Sequence, residues 1–145
     1  MLNPRTKDAV EILNGLVRIN NRRIQFYQDL LQTPGLSAEY REFFALIVGE
    51  SYQNTIWIGI EIQTIEGSID TPTPVVTITQ PSSSAAADQP ASAILAECSA
   101  METTIRDAYA NALNSVFIPQ YMRDLLKKQV RRLEAAKRQI ERLSA

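Results

Sequence analysis

Histidine is absent from this 145-residue chain, cysteine occurs once, as Cys98, and glycine only five times. Without imidazole there is no Ser-His-Asp or Cys-His catalytic set, no histidine general base, and no metal site that depends on a histidine ligand. A single cysteine excludes a disulfide framework within the chain and points to a reducing compartment. The glycines (Gly15, Gly35, Gly49, Gly59 and Gly67) are scattered singly, so no glycine-rich phosphate loop is present. No basic segment leads into an apolar one at the start, so export is not expected. The most apolar stretch, Phe43 to Ile65, is interrupted by Glu50, Asn54 and Glu61, which a membrane span tolerates poorly. A net charge of −1 gives no general attraction to nucleic acid or anionic lipid. Together these absences describe a soluble, cytoplasmic protein with no membrane role and no cofactor, and they weigh against an enzyme.

What the chain does have is helical rhythm on either side of a stretch that cannot be helix. Thr71 to Ala91 holds four of the seven prolines, with Ser82 to Ser84 running into Ala85 to Ala87. Proline fixes φ and removes a backbone donor, so this is a linker of about residues 71–90. Helix one is predicted over about 4–31 and carries two adjacent apolar stripes. One runs Ile12, Leu16, Ile19, Arg23, Phe26, Leu30; the other runs Leu13, Val17, Asn20, Ile24, Tyr27, Leu31. Thr33-Pro34-Gly35 ends it, and Ser37 is a good N-cap for helix two, about 38–66.

Helix two shows a seam at Phe44, Val48, Ser51, Thr55, Ile58, Ile62 and Ile65, in a 4,3 rhythm. Leu46, Ile56, Trp57 and Ile60 project from its far side, around Gly49. Either this helix is central and buried on both sides, or its outer face is a self-association surface. Helix three, about 91–115, repeats the rhythm at Ile94, Cys98, Met101, Ile105, Ala108 and Ala112, with Glu102 and Tyr109 on its flank. Helix four, about 119–143, repeats it at Met122, Leu126, Gln129, Leu133, Ala136, Ile140 and Leu143. Four matching seams and two short turns define a single all-α domain, a four-helix bundle. A simple return needs only a few residues, whereas the 21 residues from Thr71 to Ala91 reach roughly 65–75 Å extended, more than the ~43 Å of helix two. A crossover is therefore expected, with helix three parallel to helix two.

Charge is divided between the halves. From Ala38 to Asp70 six acids face one base; from Pro119 onward eight bases face three acids. Complementarity within the bundle or across a dimer accounts for this most simply. An acidic partner on helix four is the alternative; nucleic acid is not expected, because no nucleic-acid motif is present. Bundles of this length can house dinuclear metal centres built from glutamates and Glu-x-x-His pairs, and neither pair can exist here. A carboxylate-only site from Glu50, Glu97 and Glu102 is the residual metal candidate. Cys98 reads as a small core hydrophobe. Glu102 and Tyr109 read as polar core residues that meet Asn20, Asn54 or Gln129 and fix the pairing of helices.

Leu13-Asn14 with Leu16-Val17, then Ile94 to Cys98 with Glu102, Ala108 and Tyr109, resemble a bacterial ferritin-like family, a domain of unknown function numbered 2383. The turn before Pro119 and the basic fourth helix are similar too. The resemblance implies a ferritin-like bundle without an assigned activity. The chain departs from that family at Arg22-Arg23 and in the apolar run Ile56-Trp57-Ile58. The function read from all this is a non-enzymatic, self-associating interaction or stress-associated protein. The alternatives are a degenerate ferritin-like metal or redox protein and a binder of an acidic partner.

Overall fold

The computed structural model describes residues 4–65 and 90–144. They form four helices: α1 (Pro4–Leu30), α2 (Ala38–Thr64), α3 (Ala91–Leu113) and α4 (Gln120–Ser144). Among the described residues there is no strand. The expected crossover falls almost wholly on residues outside the described ones.

Local chemistry sets the ends of these helices. Gly35 turns the chain with a φ of 75°, in the left-handed region that only glycine enters at low cost. Ser37 then caps α2, its hydroxyl accepting the Tyr40 N–H at 3.3 Å. Pro119 supplies the carbonyl for the first bonds of α4, from the N–H groups of Met122 and Arg123.

Helix directions follow from side chains that meet across the core. Asn20 bonds Tyr109 and Tyr27 bonds Glu102, so α1 and α3 run antiparallel. Gln53 meets Arg132, and Glu39 and Glu42 share a groove with Arg142, so α2 and α4 are antiparallel too. Each helix packs on two neighbours around a square, in the order α1, α2, α4, α3. The end of α2 and the start of α3 therefore lie at opposite ends of the bundle.

Both hairpins close by the same device. Arg41, in the first turn of α2, donates to the carbonyls of Leu31, Thr33 and Leu36 at 3.2–3.4 Å. Arg123, in the first turn of α4, donates to those of Leu113, Ser115 and Ile118. The acceptors stand at the same places relative to each arginine, so residue i of the first hairpin corresponds to residue i+82 of the second, as Arg41 does to Arg123. Burial follows the same offset: Leu13 with Leu95, Leu16 with Cys98, Asn20 with Glu102, Tyr27 with Tyr109, Phe44 with Leu126 and Ile58 with Ile140 are all buried. Among the described residues the two hairpins thus repeat one arrangement at an offset of 82 residues.

The seam of α4 runs as expected from Met122 to Ile140, with Leu143 half-buried. That of α2 is rotated by part of a turn: Ile47 and Asn54 are buried, while Val48 and Thr55 are only partly covered. Glu102 and Tyr109 do not flank the α3 seam but belong to it, at 1% and 0% exposure.

Candidate functional site

The interior carries two polar layers. In the first, one residue from each helix joins a hydrogen-bonded chain. Asn54 of α2 donates to the Asn20 side-chain carbonyl at 3.1 Å, and Asn20 of α1 donates to the Tyr109 hydroxyl at 2.9 Å. Tyr109 of α3 donates in turn to the Gln129 carbonyl of α4 at 2.6 Å. Asn20 also donates to its own helix at the Leu16 carbonyl. Asn54 Oδ1 and Gln129 Nε2, an acceptor and a donor at the two ends of this chain, have no hydrogen-bond partner among the described residues. Burial raises the Tyr109 pKa although the Asn20 bond works the other way, so the phenol stays protonated.

The second layer is ionic. Arg23 is fully buried on the seam of α1, and its guanidinium grips Glu102 of α3 by two parallel bonds, at 2.9 and 2.5 Å. Its remaining nitrogen donates to Glu50 at 2.9 Å and to the Ser51 hydroxyl at 3.0 Å, both on α2. Tyr27 donates to the Oε2 oxygen of Glu102 at 2.9 Å. Burial opposes the charge on Arg23, and the Glu102 and Glu50 carboxylates more than offset it, holding the guanidinium charged. Burial, reinforced by the neighbouring Glu102, pushes Tyr27 well above the usual phenol range. Cys98 lies beside this layer, and burial pushes its thiol up to about 12, so it is no thiolate nucleophile at neutral pH.

Of the three carboxylates expected as a metal set, Glu50 and Glu102 converge, but on a guanidinium. Glu97 is exposed and is not part of their layer. Among the described residues no group of three or more acidic, cysteine or histidine side chains could hold a metal ion. The donors present do not fit a dinuclear centre: no histidine exists, and the convergent carboxylates are already paired with Arg23. Of the polar set, Asn20, Asn54, Tyr109 and Gln129 meet in one chain, and Glu102 belongs to the neighbouring layer.

Arg23 is the organising residue that sequence reasoning leaves out. Its signal is an arginine on an otherwise apolar stripe, with a glutamate beside an apolar stripe elsewhere in the chain. The pairing spans 79 residues and so is purely tertiary.

Outside the bundle, α2 is not covered on both sides. Leu46, Ile56, Trp57 and Ile60 are exposed at 69, 60, 52 and 44%, with Tyr52 beside them at 49%. Gly49 lies in their midst, and a methyl group built there would meet nothing within 4 Å. The hollow over it, about 430 Å³, is lined by Leu46, Gly49, Glu50, Gln53 and Arg132. A second groove runs on between α2 and α4, floored by Phe43, Ile47 and Ala136, with Glu39 and Glu42 on one wall and Arg142 on the other.

The site and fold define an all-α four-helix bundle with an ionic core layer and one greasy outer face. No protein-family model matches the chain, and no curated protein or solved structure matches it either. No helix among the described residues is long and apolar enough to cross a membrane.

Proposed function

We propose that this chain is a non-enzymatic bundle that self-associates through the outer face of α2. The observation that carries this reading is the contrast between two equivalent faces. At the offset of 82 residues, Leu46, Gly49, Ile56 and Ile60 correspond to Lys128, Arg131, Arg138 and Arg142 on α4, all exposed. The same position in the same fold therefore accepts a charged surface, and folding does not require grease there. An apolar row with no intramolecular cover is what a partner surface needs.

The antiparallel pairing of α1 with α3, and of α2 with α4, supports a ferritin-like topology, in which two hairpins are joined by a long crossover. The metal or redox alternative has less support. Arg23 supplies internally the positive charge that a bound ion would bring to Glu50 and Glu102. The run of cations on α4 keeps an acidic partner as a second reading, tested by salt-sensitive retention on an anionic matrix and its loss in Arg131→Glu/Arg138→Glu.

Light scattering of the pure protein at micromolar concentration tests the leading reading. A dimer or larger species is expected, and Trp57→Glu/Ile60→Glu should convert it to monomer with its circular dichroism unchanged. A monomeric wild type overturns it.

A further inference from the structure

On the outer face of α2, positions at equal distances on either side of Gln53 complement one another, although Glu50 and Ile56, three residues to either side, are unlike. Leu46 and Ile60 stand seven residues to either side of it, and Gly49 and Trp57 four residues to either side. The first pair matches in size. The second pairs the largest side chain of the face with the only position that has none. The geometry points to a two-fold dimer in which α2 packs antiparallel on α2 of a second copy, Gln53 beside Gln53, each Trp57 seated in the other's hollow over Gly49. This inference rests on the self-association reading and deepens it: it specifies the partner surface and its register.

The hollow and the placement of charge carry it. The hollow is open, about 430 Å³, and is lined by Leu46 and Gln53, which helical spacing puts on the same face of α2 as the exposed Trp57 and Ile60. That is room for an indole ring, with Arg132 on the rim to lie against its face. A parallel pairing would instead bring Ile56, Trp57 and Ile60 of both copies together at one end and leave both hollows empty at the other. Charge gives the same answer. Arg132 meets Gln53 on antiparallel helices, so Lys128, one turn earlier on α4, is level with Trp57. The antiparallel two-fold keeps both α4 helices on the same flank and brings to that level Glu50 of the second copy, whose side chain is 13% exposed and keeps Arg23 as its main partner. A parallel two-fold sets Glu50 level with Glu50 and carries the second α4 to the far flank. Antiparallel helix dipoles favour the same choice.

Cysteine cross-linking under mild oxidation reads the register, because facing positions in a close helix pair can come within disulfide reach. Gln53→Cys is expected to give a disulfide-linked dimer. Leu46→Cys and Ile60→Cys should each stay uncross-linked alone and link when the two variants are mixed. The wild-type chain, whose Cys98 is fully buried, is the control. Self-linking of Leu46→Cys or Ile60→Cys would overturn the antiparallel register in favour of a parallel one. A dimer by scattering in which none of the three links places association on another face. A monomeric wild type removes the self-association reading itself, so the two failures are distinguishable.

A second test needs no oxidant. Gly49→Trp should raise the dimer dissociation constant roughly 30-fold or more, as loss of a hot-spot aromatic contact does. The reciprocal double variant Gly49→Trp/Trp57→Gly should recover most of it. A double variant as weak as Gly49→Trp would overturn the seating of Trp57 on Gly49.

Discussion

The first and second hairpins share a closing arginine, a pattern of burial and a tyrosine at the same level, and they differ in how they use the shared frame. Where Tyr109 meets Asn20, its counterpart Tyr27 meets Glu102, the counterpart of Asn20. One half of the pseudo-symmetric interior is neutral, and the other is ionic, because Arg23 stands where the second hairpin has Ile105. The first hairpin packs through aromatic rings, with Tyr27 and Phe44 centroids 5.4 Å apart and Phe43 and Tyr40 close by. The second uses Met122 and Leu126 at the positions matching Tyr40 and Phe44. The outer face is apolar on α2 and cationic on α4. The fold thus fixes which positions are buried, and leaves open whether a buried position is charged or a surface position greasy. Those free choices are where function is to be sought.

The largest expected effect comes from making the two interiors alike. Arg23→Ile leaves Glu102 buried without its counter-charge and should cost about 3–5 kcal/mol in chemical denaturation. Adding Glu102→Asn removes the fully buried orphaned carboxylate, with the introduced amide in reach of Tyr27, and leaves only Glu50, which is partly open to solvent. The double variant is expected within about 1–2 kcal/mol of wild type, or above it. If it is as unstable as the single variant, the ionic layer does more than satisfy itself.

The closing arginines come next. Each holds three carbonyls that the end of the preceding helix and its turn would otherwise leave to solvent. Arg123→Ala, whose bonds are partly buried, should cost about 2 kcal/mol, and Arg41→Ala, mostly exposed, about 1 kcal/mol, by urea midpoints. Equal losses would argue that burial does not distinguish the two turns.

Alkaline pH should act on both halves. Cys98 titrates near 12 when folded against an ordinary 9.0, and Tyr27 and Tyr109 are held above their ordinary 10.0. The unfolded chain therefore loses these protons first. Stability present below pH 9 should fall as pH rises from there toward 12, by up to about 1.4 kcal/mol per pH unit for each group titrating only when unfolded. Tyr109→Phe should flatten the part of that slope above pH 10.

The smallest effect falls on the greasy face. Gly49→Ala, on an open helical position, should raise monomer stability by about 1 kcal/mol, because glycine is the weaker helix former. Trp57→Glu/Ile60→Glu should change it by no more than about 0.5 kcal/mol.

Legibility in the sequence tracks how one-sided each helix is. The seam of α4 can be read residue by residue because its opposite side is charged. That of α2 cannot: both sides are apolar, so periodicity admits two neighbouring registers, and the one built on Val48 and Thr55 gives way to Ile47 and Asn54. Asn20, Tyr109 and Gln129 stand out as polar residues at or beside core spacing. Arg23 shows its position on the apolar stripe of α1 but not its role, because its main partner, Glu102, is on the other hairpin. The duplication is hidden for a related reason: matched positions keep their burial while changing chemistry, as Ser51 and Leu133 or Asn54 and Ala136 do.

A body assembled from two near-interchangeable halves must also be told which half belongs with which. Two first hairpins docked together would bury a pair of guanidiniums opposite asparagine amides, and two second hairpins would bury a pair of carboxylates with no cation. Only the unlike match gives the fully buried Glu102 a guanidinium, beside the Glu50 that Arg23 already holds within its own hairpin. The buried Arg23–Glu102 pair therefore favours the match of unlike hairpins over that of two second ones.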